Sequence, residues 1–218
     1  MRTTYISKAA QQIKPSGIRK FFDLASTMEG VISLGVGEPD FVTAWNVREA
    51  SILSLEQGYT SYTANAGLLS LRKEISAYLN KRFQLDYAPD DELIVTVGAS
   101  QALDIAVRAI LDPGEEVLIP EPCFVAYEAL VSLAGGKAVH IHTNAARGFK
   151  ASAADFEAVL TERTKAIILC TPSNPTGSVY SKKELEEIAA FAEKHDLIVI
   201  ADEIYAELTL SLIHISEP

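Results

Sequence analysis

LIVIA, residues 197–201, runs straight into Asp202, Glu203, Ile204 and Tyr205. Five apolar residues in a row leave no polar face for water, so the segment reads as a strand covered on both sides. Upstream the same kind of run recurs at 92–97 (ELIVTV), 117–119, 138–142 and 166–170. Stretches with helical spacing lie between these runs, at 101–111, 124–133 and 153–160. A further helix starts at Ser181, which stands three residues before Glu184 in capping-box spacing, and runs to about His195. Asp112-Pro113-Gly114 and Gly135-Gly136 stop two of the helices. Strands apolar throughout, alternating with helices, predict an α/β fold: a mainly parallel sheet with helices on both faces.

Before this series the pattern is less regular. Residues 15–28 read as a short helical start, and 31–34 is an apolar run ended by Gly35-Val36-Gly37-Glu38-Pro39-Asp40. Residues 45–57 read as helix. Leu68, Leu71, Ile75, Tyr78 and Leu79 then fall at helical spacing, with Arg72, Lys73 and Glu74 expected off that face. No repeat or low-complexity linker interrupts the chain.

Bulk properties narrow the function. The 218 residues are 48% hydrophobic and 22% charged, ordinary for a globular protein, with a formal net charge of −10. No basic stripe exists to neutralise phosphates in series, which argues against nucleic acid. Residues 1–14 lack the apolar run of a signal peptide, and no stretch is long enough to span a bilayer. Cys123 and Cys170 belong to no metal-spaced pair, so a reduced, cytoplasmic protein without a metal site is expected.

In a parallel sheet ligands bind beyond the carboxyl ends of the strands, so the residues there carry the chemistry. After ELIVTV come Gly98, Ala99, Ser100 and Gln101, small residues opening a helix whose N–H groups could cradle a phosphate. An ordinary tight turn is the plainer reading of that segment alone. Residues 171–177, TPSNPTG, place Asn174 between two prolines that fix the backbone on both sides. Asp202 ends a buried strand, where a carboxylate needs a cation or donors. Phe124 would present an aromatic face to the same crevice. His140, His142 and His195 show no partner pattern and read as surface or packing residues, and Lys182, Lys183 and Lys194 as a solvated helix face.

Five runs, SLGVGEPDF (33–41), SYTANAG (61–67), TVGASQAL (96–103), TPSNPTG (171–177) and DEIY (202–205), occur in order over about residues 15–208. Together they resemble the class I/II aminotransferases, fold-type I enzymes that use pyridoxal 5'-phosphate. The resemblance implies that Ala99, Ser100 and Gln101 hold the cofactor phosphate and that Asp202 pairs with the pyridine nitrogen. Asn174 and Tyr205 would hydrogen-bond the phenolic oxygen, and Phe124 would stack on the ring. Gly37 would offer its backbone to the substrate carboxylate, with Phe124 and Asn174 also facing substrate. Tyr62 would reach the phosphate of a neighbouring subunit, implying a homodimer. The substrates implied are an amino acid and a 2-oxo acid.

The chain also departs from the family. No Lys or Arg follows Lys194, so the family's Schiff-base lysine, and with it the covalent anchor and proton shuttle, is absent. LSLIHISEP, residues 210–218, resembles a translated sequencing adapter and is expected to be non-native. The expected organisation is 1–42 as arm and part of a small domain, 43–209 as an incomplete cofactor-binding large domain, and 210–218 as foreign tail. As written the chain is expected to be an inactive fragment of an aminotransferase. The rivals are a carbon–sulfur lyase of the same fold and a cofactor-sensing domain of a transcription regulator.

Overall fold

The computed structural model describes residues 5–13, 24, 27–32 and 41–208. Gly37 with the rest of SLGVGEPDF before Phe41, most of residues 15–28 and the expected non-native tail lie outside the described residues. The chain divides into two compact units, 15–96 and 1–14 with 97–218. In chain order the helices are α1 (Lys8–Gln12), α2 (Trp45–Glu56), α3 (Leu69–Phe83), α4 (Ala99–Ile110), α5 (Ala126–Leu133), α6 (Ala153–Glu157) and α7 (Lys182–Lys194). The strands are β1 (Glu116–Glu121), β2 (Lys137–His142), β3 (Thr164–Cys170) and β4 (Ile198–Asp202).

The larger unit is built on a four-stranded sheet of order β2-β1-β3-β4, with every pairing parallel. Alternate residues of the central strands feed two separate cores, as strand geometry requires. Val117, Ile119, Ala166 and Ile168 pack with Leu103, Val107, Tyr127 and Val131 from α4 and α5. Leu118, Ile167 and Leu169 pack on the other face with Phe156, Ile188 and Phe191 from α6 and α7. Both faces are covered, which is why β1 and β3 can be apolar without alternation. The expected parallel α/β architecture is the observed one.

Helix starts follow local chemistry. Ser181 caps α7: its Oγ accepts from Glu184 N, and Glu184 Oε2 accepts from Ser181 N at 2.7 Å. Ser152 and Asp155 form the same reciprocal arrangement at the start of α6.

Two expectations need correction. Residues 92–97 form no strand; Val95 N donates to Ala66 O at 2.9 Å, but no described strand lies alongside to complete a ladder. β-branched composition creates a preference for strand, and pairing alone realises it. In the smaller unit Arg72, expected off the apolar face of α3, is its one buried residue. Its Nη1 donates to Pro89 O at 2.6 Å and to Asp90 O at 3.1 Å, so loop carbonyls draw the guanidinium inward.

Candidate cofactor site

Because β1, β3 and β4 are parallel, their last residues emerge at one end of the sheet, and Phe124, Asn174, Asp202 and Tyr205 follow or close these strands. Asp202 closes β4 and pairs in register with Cys170, the last residue of β3. Thr171 N donates to Asp202 O at 3.1 Å, tying the TPSNPTG turn to the end of β4. Within that turn Asn174 Nδ2 donates to Tyr205 OH at 3.3 Å, so two residues expected to share one ligand oxygen are in contact.

The carboxylate of Asp202 has two neutral partners. Tyr127 OH donates to Oδ2 at 2.6 Å, and Ile204 N donates to Oδ1 at 3.2 Å. Among the described residues no Lys, Arg or His forms an ion pair with it, so the negative charge is hydrogen-bonded but not neutralised. Phe124 stands edge-on to Tyr127, ring centroids 5.6 Å apart at 81°. Tyr127 therefore joins the expected ring-stacking residue to the expected nitrogen partner. It is absent from the sequence-based candidates because a tyrosine on an apolar helix face reads as core. The available signal was chemical: a buried tyrosine hydroxyl needs a partner.

Ala99 and Ser100 open α4, and no side chain caps that helix. Gly98 sits before them at φ 82°, a left-handed conformation that favours glycine, and a Cβ there would meet nothing within 4 Å. The first N–H groups of α4 thus receive no side-chain cap, an arrangement suited to an anion. The side chain of Gln101 folds back over the turn, its Oε1 accepting from Val97 N at 2.6 Å. Ser100 makes no hydrogen bond with Asp202 or Asn174. Tyr62 belongs to the smaller unit, where its side chain is fully exposed.

The histidines, expected to be surface or packing residues, also meet carboxylates. Alternate strand positions put His140 and His142 on one face of β2, with their Nδ1 atoms 2.8 and 3.0 Å from the two oxygens of Glu121. His195 Nε2 lies 3.1 Å from Glu157 Oε2. With Cys123, Phe124 and Val125, residues Glu121, His140 and His142 line an open cleft of ≈ 470 Å³. Asp202, Asn174 and Ser100 do not line it; of the predicted site residues only Phe124 does. Among the described residues no group of three His, Cys, Asp or Glu side chains is arranged to hold a metal.

Both cysteines are free, and they line one small cavity with Tyr127. Burial, with the charges of Glu121 and Glu128 adding to it, pushes the Cys123 thiol up to about 11. Burial likewise raises Cys170. Neither is a thiolate near neutral pH, so neither has the form a nucleophilic cysteine needs.

The described part of the larger unit therefore offers an uncapped helix start, an unneutralised carboxylate, an aromatic ring and a tied pair of hydroxyl and amide. That set suits a flat, cationic heterocycle carrying a phosphate. It contains no lysine.

Comparisons with known proteins bear on the family of the chain. The family model described as aminotransferase class I and II matches residues 29–215. YugH of Bacillus subtilis strain 168, a protein named as an aminotransferase, is 81% identical over 207 residues, 95% of this chain and 54% of that protein. An aspartate aminotransferase of Pyrococcus abyssi is 49% identical over 193 residues, 88% of this chain and 50% of its own length. Among solved structures, the aspartate aminotransferase from Thermus thermophilus with maleate superposes with a TM-score of 0.89 at 38% identity, covering 95% of this chain and 55% of that one. The chain spans about half the length of the relatives it matches. No described helix is long and apolar enough to cross a membrane. The chain belongs to the class I and II aminotransferase family.

Proposed function

We propose that the protein containing this chain is a pyridoxal 5'-phosphate-dependent aminotransferase that moves an amino group between an amino acid and a 2-oxo acid. One observation carries the reading: Asp202, at the carboxyl end of a parallel strand, is oriented by Tyr127 and Ile204, and no cation among the described residues pairs with it. A carboxylate held in that way is complementary to a protonated ring nitrogen. When bound, the cofactor supplies an electron sink for the carbanion left as the substrate loses its α-proton.

The chain's own residues have separable tasks in this reading. The N–H groups of Ala99 and Ser100, with Gln101 beside them, take the phosphate at the start of α4. Asp202 keeps the ring nitrogen protonated. Asn174 and Tyr205 donate to the phenolic oxygen and favour its ionised form. Phe124 covers the ring face and excludes water from it. Gly37, Phe124 and Asn174 meet the substrate, Gly37 through its backbone. Residues 43–209 are the cofactor-binding part. Full exposure of Tyr62 suits a residue that completes the phosphate site of a second subunit, so the working form is a homodimer. Two free cysteines suit a cytoplasmic protein.

The test is a chimera in which the 207 matched residues of this chain replace their counterparts in the Bacillus subtilis relative. Expected results are bound cofactor, seen in its absorbance, and transfer of the amino group from an amino acid to a 2-oxo acid. Release of ammonia and a thiol, with no aminated product, would instead identify a carbon–sulfur lyase. Failure to bind the cofactor would reject both.

A further inference from the structure

Tyr127 lies in the first turns of α5, yet it reaches a residue 75 positions away in sequence. Only 1% of it is exposed. Its ring edge meets Phe124, and its hydroxyl donates to Asp202. Burial first, then the hydrogen bond to Asp202, holds the phenol far above its ordinary range, so the hydroxyl remains a donor at every working pH.

From this geometry we propose that Tyr127 is a positioning residue, fixing Asp202 for the ring nitrogen without neutralising it; the inference rests on the cofactor reading above. A lysine or arginine in the same place would also orient the carboxylate. It would, however, cancel the charge that a cationic ring needs. A water molecule would preserve the charge but leave the carboxylate free to turn. A buried neutral donor on a rigid ring does both tasks. The rotational freedom of Asp202 is lost when the protein folds, so ligand binding is spared that cost. The same ring braces Phe124, so one side chain aligns the groups meeting the edge and the face of the heterocycle.

The decisive measurement is a double-mutant cycle on the chimera, read by equilibrium binding of pyridoxamine 5'-phosphate. That compound lacks the aldehyde, so its affinity reports non-covalent contacts. Tyr127→Phe removes one oxygen and keeps every atom that packs on Phe124, and a melting curve of the unliganded protein verifies the fold. Loss of one neutral hydrogen bond predicts about fivefold weaker binding for Tyr127→Phe. In an Asp202→Ala background the same change should alter affinity by less than about twofold, since the group Tyr127 acts through is gone. Unchanged affinity of Tyr127→Phe, or equal weakening in both backgrounds, would overturn the proposal, the second outcome assigning Tyr127 to packing alone. A parent chimera that binds neither pyridoxamine 5'-phosphate nor the aldehyde form overturns the cofactor reading, and this inference falls with it.

Discussion

Two carboxylates stand at opposite ends of one parallel sheet and are treated in opposite ways. Glu116 opens β1 at the amino end, and Asp202 closes β4 at the carboxyl end. Glu116 is buried at 1% exposure, with Lys137 Nζ at 2.9 Å, Arg163 Nη2 at 3.1 Å and Thr161 Oγ1 at 2.6 Å. The Thr161 hydroxyl first, then Lys137, hold it below the usual carboxylate range despite burial. Asp202 receives one hydroxyl and one backbone N–H, and no described cation. A carboxylate completed by its own chain serves the fold, whereas one left without a counter-charge at a strand end is available to a ligand.

This contrast can be broken by substitution. Glu116→Ala, made in the chimera, should lower unfolding free energy by about 2–3 kcal/mol in urea titrations. Lys137 and Arg163 keep their heads largely in water, which holds the loss below that of a pair buried on both sides. Affinity for pyridoxamine 5'-phosphate should not change. Asp202→Ala should do the reverse, weakening that affinity by more than about tenfold while costing about 1 kcal/mol of stability for the orphaned Tyr127 hydroxyl. If Glu116→Ala weakened binding and Asp202→Ala mainly unfolded the protein, the division of labour would be wrong.

Acid titration sharpens the comparison. The Glu116 carboxyl is depressed in the folded state, so its stabilisation is fully present above the ordinary value of 4.5 and is lost as pH falls through the lower folded value. Urea midpoints of the parent and of Glu116→Gln should therefore converge as pH drops below about 4.5. A gap that stays constant down to pH 3 would show that Glu116 acts through shape rather than charge. Lys137→Ala, removing one of two cations from an exposed position, should cost about 0.5–1 kcal/mol. The smallest effect belongs to Lys182→Ala, whose pair with Glu186 spans 3.9 Å on an exposed helix face, and the change should stay within about 0.5 kcal/mol.

Much of the larger unit was legible in the sequence. The runs at 117–119, 138–142, 166–170 and 197–201 became strands because each found a parallel neighbour; 117–119 and 166–169 are buried, whereas Ile198 and Val199 of the expected two-sided strand are exposed. The Ser181–Glu184 spacing marked the start of α7 because both partners of a capping box are local. Residues 92–97 carried the same composition and formed no strand, since pairing depends on a neighbour that composition does not encode. Asn174, Asp202 and Tyr205 were legible as strand-end residues. Tyr127 and Glu116 were not, because their roles come from partners distant in sequence: Asp202 for one, and Lys137, Thr161 and Arg163 for the other. The carboxylate partners of the histidines were not legible for the same reason, as Glu121 and Glu157 lie on other elements.

The placement of Glu116 has a consequence for how three strands align. It sits opposite Lys137 on β2 and Thr164 on β3, and the irregularity between β1 and β3 falls just after it. A hydrophobic stripe alone tolerates sliding, since Val, Leu and Ile resemble one another and a two-residue shift restores the same face. A buried carboxylate does not tolerate it: a shift of β1 would part Glu116 from Thr161, Lys137 and Arg163. Glu116 thus acts as a notch that favours one alignment of β1 with β2 and β3, and the carboxyl end of β1, which leads into Phe124 and Tyr127, inherits from it its height beside β3.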